Sequence, residues 1–449
     1  MMRSGMRVGT LLVASFGVSS GAHAGGPDLA LSDIYETFRY GTLNGQSAYA
    51  IGNWNCNVGD EPVAWDVLTD NHPVFGFSVH RVLDGRLEQI GLSWVKHAFS
   101  AVNLTRCQTC TFNGHDGSNL YPGCADAYSA PINGAQTGLG PRSQVNATSG
   151  AFTFPVDYSV SGPATNVLSR RIPINNTDLD PAQNAGAIYL IEAQAVAPDD
   201  AAAGNDSNNT AVRRTRITGS GTNFNLTLSA GDQNQAGLCV VEAWAQLDPT
   251  VLVSRVRVPG EGLIAVASKV QDRGGGVRRY IYAIQNLNSD RAIGSFTIPR
   301  PDCIVRGASS MRQPVYHSGD AWSNAPWTVA DGPGTVVWSV PQSFEANPMS
   351  SAVRWGTVLS VWFDASAESR VELATVGMFK PGGVGAVGVA VHVPRSPADF
   401  NSDGFVDFFD FDDFVLAFEG GEPGADINRD GFLDFFDFDD FVVLFGSGC

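Results

Sequence analysis

The chain has 449 residues, 43 % of them hydrophobic and only 16 % charged, with 50 glycines and a formal net charge of −17 at pH 7. That balance excludes a disordered polyelectrolyte, which needs low hydrophobicity and high charge density. It also excludes a nucleic-acid binder built on a basic stripe. After the first 24 residues no run reaches the ~18 apolar residues of a membrane helix, so no membrane span is expected.

Residues 1–24 read as an export signal. Arg3 and Arg7 give a positive start, residues 9–18 form an apolar run too short to span a bilayer, and Ala22-His-Ala24 offers a small-x-small cleavage site. The mature protein is therefore expected outside the cytoplasm, secreted or at the cell surface.

The next 370 residues have room for two domains with substantial cores. They read as mainly β, with β-sandwich-like domains at 25–250 and 251–394 and a boundary near 249–259. Runs at 75–81, 187–197, 224–228 and 251–258 are short, rich in β-branched or aromatic residues, and closed by turn formers. Seven more strands are expected at 263–270, 277–285, 293–299, 335–340, 353–363, 371–376 and 387–393, a number and spacing that suit a sandwich. Residues 198–210, rich in Ala, Asp, Asn and Gly, read as a long surface loop.

All seven cysteines follow the export signal, which favours disulfides. Cys56, Cys107, Cys110 and Cys124 allow three pairings, and at least two bridges are expected in the body. Cys239 and Cys303 follow, and the odd thiol is expected to be the terminal Cys449. Cys107-Gln-Thr-Cys110 has no second CxxC and no βαβ context, so disulfide use is expected over metal or redox use.

Four of the seven histidines, His72, His80, His97 and His115, fall within 44 residues and form a candidate metal cluster, although none shows HExxH spacing. His97, flanked by apolar residues, reads equally as a partly buried structural side chain. Glu192, Glu242 and Glu261 lie on or near expected strands and would matter for glycoside hydrolysis only if two of them converged. Trp322, Trp327 and Trp338 are candidates for stacking on sugar rings or for the core. No Gly-x-Ser-x-Gly elbow is present, and no catalytic residue is assigned.

The C-terminal stretch is where residues spell out chemistry. Asp-Phe-Asn-Ser-Asp-Gly-Phe-Val-Asp-Phe-Phe-Asp begins at Asp399, and Asp-Ile-Asn-Arg-Asp-Gly-Phe-Leu-Asp-Phe-Phe-Asp begins 27 residues later at Asp426. Oxygen-bearing side chains stand at positions 1, 3, 5, 9 and 12 of each twelve-residue loop, with Gly at 6. That is the spacing with which a loop wraps calcium. The expected ligands of the first ion are Asp399, Asn401, Asp403, the carbonyl of Phe405, Asp407 and Asp410. Those of the second are Asp426, Asn428, Asp430, the carbonyl of Phe432, Asp434 and Asp437, giving two calcium ions in all. Gly404 and Gly431 sit at the sharp turn.

Phe411, Phe414, Val415 and Phe418, and again Phe438, Phe441, Val442 and Phe445, are spaced as one apolar stripe of a helix after each loop. Pro394 and Pro397 oppose a helix before Asp399, so each unit is a loop followed by one helix rather than a full EF-hand. Residues 396–449 hold fourteen acids and one arginine, net −13, which leaves the other 395 residues at −4.

At these residues, roughly 396–449, the chain resembles the calcium-binding repeats of the dockerin modules. Aspartate at position 12 is usual in that family, as at Asp410 and Asp437. The resemblance implies a pseudo-symmetric pair of repeats that docks a secreted protein, often a glycoside hydrolase, onto a cohesin module. Positions 10 and 11 commonly read the cohesin and are often small hydroxyl residues, whereas here they are Phe408, Phe409, Phe435 and Phe436. Asp412, Asp413, Asp439 and Asp440 stand where basic residues are common. In the body, Gly91-Leu-Ser-Trp-Val-Lys-His-Ala-Phe99, Tyr282-Ala-Ile-Gln-Asn-Leu-Asn-Ser-Asp-Arg291 and Arg354-Trp-Gly356 are similar to exported bacterial proteins, chiefly of planctomycete type, that end in the same repeats.

The sequence thus points to a secreted, calcium-binding docking protein whose C-terminal module anchors a β-rich body to a cohesin-like or cell-surface protein, with polysaccharide as a second class of partner. One alternative is a dockerin-tethered extracellular hydrolase acting on O-glycosyl compounds in polysaccharide catabolism. A second is a cell-surface structural protein.

Overall fold

The computed structural model describes residues 25–112, 114, 117–160, 164–313 and 319–449. The expected export signal at 1–24 and His115 lie outside the described residues.

Among the described residues the body is mainly β, in four larger antiparallel sheets and a two-stranded one, Val63–Ala64 with Asn119–Leu120. The first runs Leu29–Leu43, Gln46–Asn57, Cys124–Tyr128, Leu104–Thr105, with Ile172–Asn175 also on Gln46–Asn57. The second runs Asn225–Thr227, Thr210–Thr218, Ile188–Val196, Val74–Leu83, Arg86–His97, Leu139–Gly140, with Asn234–Ala236 also on Thr210–Thr218. The third runs Leu252–Arg257, Leu263–Gly274, Val277–Asn286, Thr357–Ala365, Ser309–Arg312. The fourth runs Thr328–Gly332, Thr335–Ser339, Ile293–Pro299, Ser369–Met378, Ala386–Pro394.

Side-chain alternation along the strands turns these sheets into a stack. Tyr189, Ile191 and Ala193 face the first sheet, whose Leu31, Tyr49 and Ile51 share their core. Leu190, between them, points the other way, into a layer shared with the helix Val240–Leu247 and with Leu263, Ala265 and Ala267 of the third sheet. On that third sheet the intervening Ile264 and Val266 join Tyr280, Tyr282, Phe296, Trp338 and Val391 in a core against the fourth sheet. The two middle sheets are thus covered on both faces, which is why their strands read as nearly unbroken apolar runs. Trp244, fully buried in the shared layer, is worth roughly 2–3 kcal/mol by burial alone.

The seven strands expected between 263 and 393 all form, with shifted ends; the one at 353–363 starts only at Thr357. Ser309–Arg312 and Thr328–Gly332 are additional. So, in the first half, are the long hairpin Leu29–Leu43/Gln46–Asn57 and the strand Arg86–His97. The surface loop expected at 198–210 is corrected. Pro198–Ala203 is a short helix, and Asp200 is fully buried, accepting from Leu29 N and Asn209 Nδ2 at 2.7 Å each.

Three disulfides form: Cys56–Cys107, Cys110–Cys124 and Cys303–Cys449. They suit an oxidising compartment. The odd cysteine is Cys239, not Cys449. It is sealed at the start of the helix Val240–Leu247, while Cys449 reaches back to the body. The two cysteines of the CxxC bond to different partners. No helix of the described residues is long and apolar enough to cross a membrane.

Candidate metal centre

The first C-terminal loop is shaped by its own side chains. Ser402 and Gly404 take positive φ, 66° and 100°, a conformation that glycine adopts at little cost. The turn so made lets each aspartate reach back to a main-chain N–H. Asp403 N donates to Asn401 Oδ1 and Phe405 N to Asp403 Oδ1, both at 2.9 Å. Gly404 N donates to Asp399 Oδ1 at 3.3 Å. Asp410 accepts from Asn401 N at 3.0 Å and from Asp407 N at 2.9 Å. Asp407 in turn caps the helix Phe408–Glu419 through Phe409 N.

These bonds turn carboxylates inward. Ligand atoms of Asp399, Asp403 and Asp410 lie within 4.8 Å of one another, the one such group among the described residues. Asp399 and Asp410 are fully buried. Three carboxylates this close repel unless a cation or proton intervenes.

The second loop repeats the bonding. Arg429 and Gly431 take φ of 60° and 88°. Asp437 accepts from Asn428 N at 3.2 Å and Asp434 N at 2.9 Å, while Asp430 N donates to Asn428 Oδ1 at 2.9 Å. Asp434 caps the helix Phe435–Gly446. Asp426 Oδ2 accepts from Gly431 N at 3.0 Å, but its Oδ1 is buried without a partner among the described residues. A buried unsatisfied carboxylate oxygen is costly and marks a place for a cation. Both loops offer only oxygens, the donor set that suits calcium or magnesium rather than zinc or copper.

The helices pack as the stripes predict. Phe414 and Phe441 are fully buried and stack with ring centroids 3.8 Å apart, ringed by Phe400, Phe411, Phe418, Phe438 and Phe445. Val442 departs from the stripe and is exposed. Opposite this core, Phe405, Phe408, Phe409, Phe432, Phe435 and Phe436 are between 67 % and 72 % exposed. Phe405 and Phe432, the expected main-chain ligands, therefore leave their rings in solvent.

The sequence reading missed how firmly the module joins the body. Cys303, six residues before the third sheet's edge strand Ser309–Arg312, bonds to Cys449. Ala398 N donates to Cys449 O at 3.1 Å, which closes the module's two ends on each other. Arg370, on the fourth sheet, donates to Asp399 Oδ2 at 2.7 Å and holds Glu372 at 2.6 Å. Arg395 donates to the carbonyls of Asp399 and Phe400 at 3.0 and 3.2 Å. Arg429 reaches Glu368 at 3.3 Å. Nothing in the strand pattern around 371–376 identifies Arg370 as the partner of a loop aspartate. The link is visible only in three dimensions.

Among the described residues the body's candidates do not come together as one cluster. His72 and His97 meet edge to face, centroids 5.4 Å apart, between Phe152 and Phe154. His80 belongs elsewhere, against Ser78 at 2.8 Å and Glu192 at 3.7 Å. The histidine metal cluster is therefore not formed by the described residues. Glu192 is buried and accepts from Val240 N at 2.8 Å and from Gln285 Nε2 at 2.8 and 2.9 Å. Glu242 closes the capping box on Cys239 N at 2.8 Å. Glu261 bonds Thr148 Oγ1 at 2.9 Å. Each glutamate serves local structure. Trp322, Trp327 and Trp338 are all buried, so none is a platform for a sugar ring.

No family model matches the chain, and no curated protein does. Among solved structures it is similar to the C-terminal domain of the Streptococcus pyogenes antigen I/II-family protein AspA, at 8 % identity over 83 % of this chain and 100 % of that one, with a TM-score of 0.18. A likeness of that size carries no argument.

Proposed function

We propose that the chain is an exported docking protein in which calcium organises a dockerin-like pair of C-terminal repeats, and that this module anchors the β-rich body to a protein partner. The carrying observation is the convergence of Asp399, Asp403 and Asp410 in a loop whose bonding pattern is repeated 27 residues on. Asp399, Asn401, Asp403, the Phe405 carbonyl, Asp407 and Asp410 would hold one ion. Asp426, Asn428, Asp430, the Phe432 carbonyl, Asp434 and Asp437 would hold the other. Calcium supplies the positive charge that lets these carboxylates share a loop.

The six exposed phenylalanines recur at positions 7, 10 and 11 of both repeats. Large apolar rings exposed in this number favour an interaction role. Asp412, Asp413, Asp439 and Asp440 on the same helices favour a partner, cohesin-like or of the cell surface, that offers an apolar face bordered by basic residues. Three disulfides and the signal-like start support the exported setting.

Calorimetric titration of the mature chain with calcium chloride is the test. Two ions per chain are expected, and Asp403→Ala and Asp430→Ala should each remove one. A wild-type chain that takes up no calcium overturns the reading, and so do variants that both retain two ions.

A further inference from the structure

Remote from the C-terminal module, the second sheet carries a cavity of about 420 Å³ whose walls include Leu68, His72, Lys96, His97, Phe99 and Phe154. The size falls in the ~300–1,000 Å³ range of small-molecule sites. Most of the lining is apolar; Lys96 is the one cationic side chain among the described lining residues, beside the polar His72, His97, Thr137 and Tyr158. Of the chain's three lysines, Lys269 pairs with Asp248, and Lys380 with Asp290 at 2.8 Å. Lys96 has no carboxylate partner among the described residues, yet it is only 1 % exposed. Its Nζ donates to the carbonyl of His97 and lies 3.7 Å from the centroid of the Phe99 ring. An ammonium has three hydrogens to place, and lysine is almost never fully buried unless paired.

The neighbouring groups share the deficit. His72 and His97 are 1 % and 9 % exposed, and His72 Nε2 and His97 Nδ1 are buried without a partner among the described residues. Burial pushes the His97 imidazole down to about 3, so it is neutral at physiological pH. Burial also lowers the Lys96 amine to about 8, which leaves it mostly protonated at pH 7. Leu68, 78 % exposed, holds a φ of 62°, a backbone conformation that costs a bulky residue energy. Phe99 is 47 % exposed. These two apolar residues line the cavity and also reach solvent.

We propose that this cavity is a binding site for a small monocarboxylate with an apolar body, its carboxylate paired with Lys96 and its apolar part against Phe154 and Phe99. A metal cation does not fit, because a protonated lysine beside two histidines repels it. A phosphate dianion does not fit either, because among the described residues only one cation faces the cavity. A single carboxylate supplies the missing counter-charge, and the remaining wall is apolar.

The site is independent of calcium, so the test is made on the mature full-length chain in chelator. Calorimetry with decanoate and with benzoate is compared with decanol and benzyl alcohol. At least one carboxylate should bind one per chain, at least tenfold more tightly than its alcohol. Lys96→Met should lose at least tenfold in carboxylate affinity, keep its affinity for the alcohol, and melt no lower than wild type, because an unpaired buried charge has gone. Val156→Trp, which fills the cavity from its wall and leaves Lys96 in place, should abolish binding even if Lys96→Met fails to fold. The proposal is overturned if neither carboxylate binds, if acid and alcohol bind equally, if Lys96→Met folds and binds the acid unchanged, or if Val156→Trp does.

Discussion

The β-body and the C-terminal module solve the folding problem in opposite ways. In the body, aromatic residues go inward. Trp65, Trp94, Trp244 and Trp338 are among its most buried side chains, and most buried charges there have partners, as Arg81 has in Glu88 and Asp178. In the module, six phenylalanines go outward and the carboxylates face one another. Burial and satisfied polar groups hold the body. The module has a core of two stacked rings and their neighbours, with the carboxylates of its first loop drawn together beside it. The body holds it through the Cys303–Cys449 bridge and through Arg370 on Asp399, and we propose that a cation and a partner add to that.

The largest break in this comparison is expected from Phe414→Ala. Phe414 is fully buried against Phe441, and truncating a buried phenylalanine costs ~3–5 kcal/mol. In so small a core that should unfold residues 396–449 and leave the body's transition in place. Hydrogen exchange resolved along the chain would show loss of protection confined to the module.

Cys303→Ser comes next. The bridge to Cys449 spans 146 residues of sequence, and removing a native disulfide of that reach costs ~2–5 kcal/mol. The module should then exchange faster in calcium than it does in the wild type, while strands such as Ile293–Pro299 keep their protection.

Arg370→Met sharpens the contrast between the two loops. Arg370 places a positive charge on Asp399, and Asp426 has no equivalent partner from the body among the described residues. Removing that charge should strengthen calcium binding at the first loop roughly tenfold, or ~1.4 kcal/mol, and leave the second unchanged. Calorimetry in the Asp430→Ala and Asp403→Ala backgrounds reads each loop separately.

The smallest effect on stability is expected from Phe408→Ser with Phe435→Ser. Both rings are about 70 % exposed, so stability should change by no more than ~0.5 kcal/mol per site, while apolar surface available to a partner falls. Thermal melting in calcium checks the first half of that statement, and binding of the apolar dye 1-anilinonaphthalene-8-sulfonate checks the second.

The two C-terminal helices were legible in the sequence, because their apolar stripes are local and repeated. The burial of Phe414 and Phe441 follows from those stripes, whereas the capping by Asp407 and Asp434 was not read. The strands between 263 and 393 were legible because apolar runs closed by turn formers are also local. The hairpin of Leu29–Leu43 with Gln46–Asn57 was missed although Asn44-Gly45 marks it. Both residues take positive φ, 49° and 77°, which is the signature of a two-residue hairpin turn. Asp84-Gly85 does the same between Val74–Leu83 and Arg86–His97, at 51° and 71°. These turns could have been read.

Other features had no local signal. The pairing of Cys449 with Cys303, the reach of Arg370 to Asp399 and the isolation of Lys96 depend on which strands become neighbours. The helix at Pro198–Ala203 was hidden by a composition that suits loops, and tertiary burial of Asp200 decided it. The histidines of 72–115 looked like a group because they are close in sequence. Strand register instead placed His80 apart from His72 and His97.

The central claim is that burial holds the body and a bound cation holds the module. Amide hydrogen exchange on the mature chain, with calcium and then with chelator, tests it most directly. The account predicts that chelation strips protection from 396–449, including the helices Phe408–Glu419 and Phe435–Gly446, and leaves 25–394 unchanged. Equal protection of the two helices with and without calcium would contradict it.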